Sequence, residues 1–147
     1  MTEVLIIAEA GVNHNGDEST AYGLVDHAVS SGADAIKFQT FKAERMVTEF
    51  ASKASYQMKN DRHDKQLAML KELELSTSAF KRISKYCKKK NIIFMTTAFD
   101  SESLEFVLKD LSVETLKIPS GEINNAPFLL EHARSGRDII MSTGMSN

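Results

Sequence analysis

Residues 115–122 read TLKIPSGE, an apolar, strand-like run with a lysine in its middle and a cluster of polar groups at its end. A strand covered on both faces has no inexpensive place for an ammonium, because an unpaired buried charge is costly unless it meets an anion. Lys117 therefore either reaches solvent or faces something negative. Four further runs have the same composition: VLIIAEAG (4–11), DAIKFQT (34–40), NIIFMTTAF (91–99) and DIIMSTG (138–144). Each suits a buried parallel strand. Each also carries polar residues at or near its C-terminal end: Glu9; Lys37 and Gln39; Thr96 and Thr97; Ser142 and Thr143. Lys117, Ser120 and Glu122 hold the same place in the opening run. Alternate residues of a strand share a face, so Ile7 falls with Glu9, Lys37 with Gln39, Met95 with Thr97, and Ile140 with Ser142.

Amphipathic segments separate the runs. The spacing of Ala21, Leu24, Val25, Ala28 and Val29 predicts a helix within 17–32, stopped by Gly32. Residues 76–91 open with cap-type residues and close with Lys88, Lys89 and Lys90, which suit the negative end of a helix dipole. Segments 101–110 and 126–136 repeat the pattern. Strands alternating with helices predict an α/β fold of βα repeats, with five parallel strands side by side in chain order and the helices outside. Such folds place their sites at the C-terminal ends of the strands. The segment 41–75 is long for one βα connection; its second half reads as helical, the whole as a functional loop, and its KNDRHDK stretch (59–65) as solvated surface.

Composition removes several function classes. The chain has 147 residues, 42% of them apolar, enough for one domain with a core. Its 18 Lys and Arg stand against 20 Asp and Glu, so no broad basic surface points to nucleic acid or an anionic membrane. The single Cys87 excludes an intramolecular disulfide framework and reads as a packing residue near a helix end. The sequence has no signal peptide and no apolar run of membrane-spanning length, so the expected compartment is the cytoplasm. Any anion site must then be local. Two lysines and several hydroxyls converging from different strands make a cradle for a phosphate or carboxylate. The alternative is that Lys37 and Lys117 pair with Glu9 and Glu122 as structural ion pairs, and spacing leaves both readings open.

Five motifs, AEAGVNHNG (8–16), KFQTF (37–41), TTAFD (96–100), KIPSGE (117–122) and STGM (142–145), stand in that order. Together they resemble the sialic acid synthase (N-acetylneuraminate synthase) family, with legionaminic and pseudaminic acid synthases as relatives. The resemblance implies a (β/α)8 TIM-type barrel that condenses phosphoenolpyruvate with an N-acetylated sugar aldehyde, N-acetylmannosamine or a related diacetamido sugar, and releases phosphate. By motif match, Lys37, Thr97, Lys117, Ser120 and Ser142 would hold phosphoenolpyruvate, and Gln39 would approach the sugar. Glu9 and Glu122 are the catalytic candidates, with no choice made between them. His14, inside NHNG, would organise its loop or touch substrate rather than bind metal.

The resemblance also implies a divalent metal, Mn or Mg, held by two histidines of later strands outside this sequence. It further implies a homodimer whose C-terminal antifreeze-like domain completes the partner's sugar site. His63 and His132 read as surface residues and do not replace those ligands. A complete barrel takes about 250 residues, so residues 1–147 are expected to be the N-terminal portion of a longer synthase, inactive alone. A non-catalytic phosphate-binding or assembly subunit is the alternative. Another phosphoenolpyruvate-condensing 3-deoxy-sugar-acid synthase is a weaker one, because those enzymes commonly take a metal-binding Cys from an early strand whereas Cys87 is helical.

Overall fold

The computed structural model describes residues 4–47 and 66–144. The elements run β1 (Ile7–Gly11), α1 (Glu18–Ser30), β2 (Ala35–Thr40), α2 (Ala43–Met46), α3 (Gln66–Leu73), α4 (Thr77–Lys89), β3 (Ile93–Ala98), α5 (Ser101–Lys109), β4 (Thr115–Ile118), α6 (Ala126–Arg134) and β5 (Asp138–Met141). A single 3-10 turn, Ser120–Glu122, follows β4.

Helix starts follow local chemistry. Asp17 accepts the N–H groups of Ser19 and Thr20 at the head of α1, Ser76 that of Ala79 at α4, Asp100 that of Ser103 at α5, and Asn125 that of Phe128 at α6. Each side chain satisfies donors that the helix itself leaves unpaired. Ala21, Val25 and Ala28 bury one stripe of α1, and Ala79, Phe80, Ile83 and Cys87 one stripe of α4. These stripes close over Ala10, Ile36 and Phe38 of the sheet to make the main core. Cys87 lies fully inside it, and burial pushes its thiol up to about 12, so packing is its role.

All strand pairs are parallel. The order β1-β2-β3 is continuous, and β4 pairs with β5. The uninterrupted five-strand sheet expected from the sequence is corrected at one seam: β4 lies beside β3, but no ladder of backbone hydrogen bonds joins them. β4 has only four residues to offer, and the seam is closed instead by Phe94, Ala98, Leu116 and Val113. A cleft of about 270 Å³ lined by Ile93, Met95, Val113 and Thr115 opens there.

The second half of the long connection is helical from Gln66 to Leu73, as expected; the short α2 was not foreseen, and the KNDRHDK stretch and His63 lie outside the described residues. His132 is corrected from surface to interior. It is 1% exposed, its Nδ1–H donates to the Phe128 carbonyl at 2.9 Å, and its ring meets Phe128 edge-on at 4.5 Å. The i, i+4 spacing puts both rings on the one face that α6 turns inward. Among the described residues no helix is long and apolar enough to cross a membrane.

Candidate anion-binding site

The strands sort their side chains by parity. Ile36, Phe38 and Phe94 point to the helices, so Lys37, Gln39 and Thr97 point to the other face. Thr96 belongs with the helix side: its hydroxyl is buried against that of Thr40 at 2.8 Å, a structural contact. Thr97, 2% exposed, stands opposite Gln39.

Register brings Glu9 directly opposite Lys37, and a bulge between Glu9 and Gly11 follows at once. Such irregularities re-aim side chains at strand ends. The Glu9 carboxylate pairs with the Lys37 ammonium, whose side chain is only 11% exposed. Gly11 adopts φ +52, and a Cβ there would stand 3.3 Å from Glu9 Oε1 and 3.8 Å from Gln39 Nε2. The carboxylate and the amide therefore both border the space that the glycine leaves open. Gly11→Ala is expected to lose about 1–2 kcal/mol of stability from the positive φ and the crowded carboxylate. Urea unfolding of the two proteins checks this, and an unchanged midpoint would contradict it.

Lys117 is held differently. Its Nζ donates to the Ile118 carbonyl and to Ser142 Oγ, both at 2.7 Å. Among the described residues it meets no carboxylate. Partial burial holds its ammonium below the ordinary lysine range, the positive charge of Lys37 pushes it further down, and Glu9 opposes both. The two lysines and Glu9 thus share one electrostatic neighbourhood, with two cations against one anion.

The ion pair expected under the structural alternative thus forms at Lys37, with Glu9, and does not form at Lys117. Glu122, in the turn after β4, does not reach either lysine and instead accepts from Asn125 Nδ2 at 2.7 Å. Ser120 Oγ lies 3.8 Å from where a Cβ on Gly144 would be, which sets it beside the turn that follows Ser142. Glu9, Lys37, Gln39, Thr97, Lys117 and Ser142 come together at the C-terminal ends of five strands, with Ser120 at the rim and Glu122 turned aside.

His14 organises its loop. It is 1% exposed, and its Nδ1 accepts the N–H of Gly16 at 3.1 Å, which leaves the proton on Nε2. Burial lowers its pKa and Asp17 partly opposes that, so the ring stays neutral near pH 7. Gly11 was given no role of its own in the sequence reading, although a glycine directly after an apolar run was the available signal.

Comparison with known proteins finds several similar to this chain in sequence and fold. The chain is 49% identical over 148 residues to N,N'-diacetyllegionaminic acid synthase of Campylobacter jejuni, covering 100% of this chain and 44% of that protein. It is 50% identical over 141 residues to the synthase of the same name from Legionella pneumophila, covering 95% of this chain and 39% of that one. The crystal structure of N-acetylneuraminic acid (sialic acid) synthetase from Leptospira borgpetersenii, in complex with citrate, superposes with a TM-score of 0.84 at 35% identity, over 99% of this chain and 46% of that chain. The chain thus spans under half the length of the relatives it matches. The NeuB family model matches residues 24–147, most of the sequence, and on that match the chain belongs to the NeuB family.

Proposed function

We propose that this chain provides the phosphoenolpyruvate-binding side of a synthase that joins phosphoenolpyruvate to an N-acetylated sugar aldehyde, giving a nonulosonic acid and phosphate. The observation that carries the reading is the excess cation of the site: Lys37 and Lys117 stand against the single carboxylate of Glu9, and Lys117 has only neutral partners. A ligand with a phosphate and a carboxylate supplies the missing negative charge. Ser142 accepts from Lys117, so its own hydroxyl proton is free to point at a bound anion.

With the anion fixed, C3 of phosphoenolpyruvate is oriented to form the carbon–carbon bond to the aldehyde carbon. Positive charge then develops at C2, water adds there, and the tetrahedral intermediate loses phosphate by C–O cleavage. A carboxylate beside C2 stabilises the cation and takes the proton of the incoming water. Glu9 fits that task better than Glu122, because it stands by Lys37 while Glu122 is held by Asn125. Gln39, whose amide like the Glu9 carboxylate borders Gly11, would donate to the sugar. A divalent metal, when bound, would polarise the aldehyde as a Lewis acid. No group of three His, Cys, Asp or Glu among the described residues fits one.

A diacetamido sugar is favoured over N-acetylmannosamine, since the relatives at 49% and 50% identity are named for a diacetyl product and the sialic acid synthetase stands at 35%. The test is incubation of the full-length protein, metal included, with phosphoenolpyruvate and either sugar. Phosphate release together with a nonulosonic acid by mass, faster with the diacetamido sugar, is the expected outcome. Phosphate release with neither sugar would sink the reading.

A further inference from the structure

The last backbone bond joining β2 to β3 runs from the Phe99 N–H to the Thr40 carbonyl at 3.3 Å. Beyond it a side chain takes over. Asp100 Oδ2 accepts the backbone N–H of Lys42 at 3.2 Å and the Ser103 hydroxyl at 2.6 Å, while Oδ1 accepts the Ser103 N–H at 2.9 Å. A helix cap needs only the Oδ1 contact, and in this same molecule Ser76 caps α4 with a hydroxyl alone. The second oxygen of Asp100 is directed at β2's continuation. The next N–H, that of Ala43, is taken by Glu74 Oε2 at 3.0 Å, so the chain leaving β2 is fixed from two sides.

We propose that Asp100 is a positioning residue for the anion site: by tying the Lys42 backbone to the head of α5, it locks the C-terminal ends of β2 and β3 together. Gln39 lies three residues before Lys42, Thr97 three before Asp100, and these two site residues are register partners. Lys37 is the next inward-facing residue down the same strand. Loss of the tie leaves the strands paired but lets their ends, and the groups they carry, move apart. Misplacement of this kind costs binding and rate far from the altered residue. The inference rests on the phosphoenolpyruvate reading of the site.

Asp100→Ser separates the tie from the cap, because serine keeps an acceptor for the Ser103 N–H and is too short to hold Lys42 as well. Ser103→Ala is the control: it removes a cap contact and leaves Lys42 alone. In the full-length protein, Asp100→Ser is expected to weaken calorimetrically measured phosphoenolpyruvate binding about tenfold and to speed amide exchange at residues 40–43, and, because Oδ2 also holds the Ser103 hydroxyl, to lower the urea midpoint at least as much as Ser103→Ala does. Ser103→Ala is expected to lower the midpoint and leave affinity unchanged. Equal losses of affinity in both variants, or unchanged affinity in Asp100→Ser, overturn the proposal. Should the unaltered protein fail to bind phosphoenolpyruvate, it is the function reading that falls. Exchange then decides the tie alone, and unchanged protection at 40–43 in Asp100→Ser would refute it.

Discussion

Gly16→Ala is expected to destabilise the protein by about 2–4 kcal/mol, among the larger effects a single methyl group can have. Gly16 adopts φ +73, in the left-handed region that costs an alanine about 1 kcal/mol. The added Cβ would also lie 2.1 Å from the backbone carbonyl oxygen of Glu72, in the last turn of α3. That neighbour is main chain in a helix, so it cannot swing aside as a side chain would. Either the NHNG loop or α3 must shift, and with the loop goes the Gly16 N–H that holds His14 Nδ1. Chemical denaturation of the full-length variant measures the effect. A midpoint within error of the unaltered protein would mean that loop and helix do not meet as described.

Lys117→Met should show the opposite pattern, with binding lost and stability kept. Removing the ammonium takes away a charged hydrogen bond to the ligand, so phosphoenolpyruvate affinity should fall by about 1.5–3 kcal/mol. The ligand-free protein should be as stable or more so, because it no longer holds a half-buried cation whose partners are a carbonyl and a hydroxyl. The sign of the pH dependence follows from the depressed pKa. The unfolded chain keeps its proton to higher pH than the folded one, so the free protein gains stability as pH rises through the folded value. Over the same range anion affinity declines, since the neutral amine no longer attracts the ligand. Both trends should be weaker in Lys117→Met. A large stability loss with unchanged affinity would assign Lys117 a structural role.

Much of this was legible in the sequence for local reasons. The five strands announced themselves as apolar runs with polar C-terminal ends, and the helices as stripes such as Ala21, Val25 and Ala28 between a capping Asp17 and the left-handed Gly32. The candidate site was legible because alternation alone separates Lys37, Gln39 and Thr97 from Ile36, Phe38 and Thr96. What stayed hidden depends on partners distant in the chain. Whether each lysine met a carboxylate turned on register: Glu9 falls opposite Lys37, whereas Lys117 falls opposite Ile140. The broken ladder between β3 and β4 is a property of two strands separated by α5, and no local preference encodes it. His132 looked like a surface letter because its polarity hid the one hydrogen bond to Phe128 that permits burial. Glu122 looked like a partner for Lys117 until the turn that carries it gave its carboxylate to Asn125.

Whether the polar C-terminal ends of these strands form one anion site is tested most directly by a crystal structure of the full-length protein with phosphoenolpyruvate. The phosphate and carboxylate of the ligand are expected within about 3 Å of Lys37 Nζ, Lys117 Nζ and the Ser142 hydroxyl, with C3 open toward Gln39. Phosphoenolpyruvate bound elsewhere, with Lys117 still satisfied by Ile118 and Ser142 alone, would contradict it.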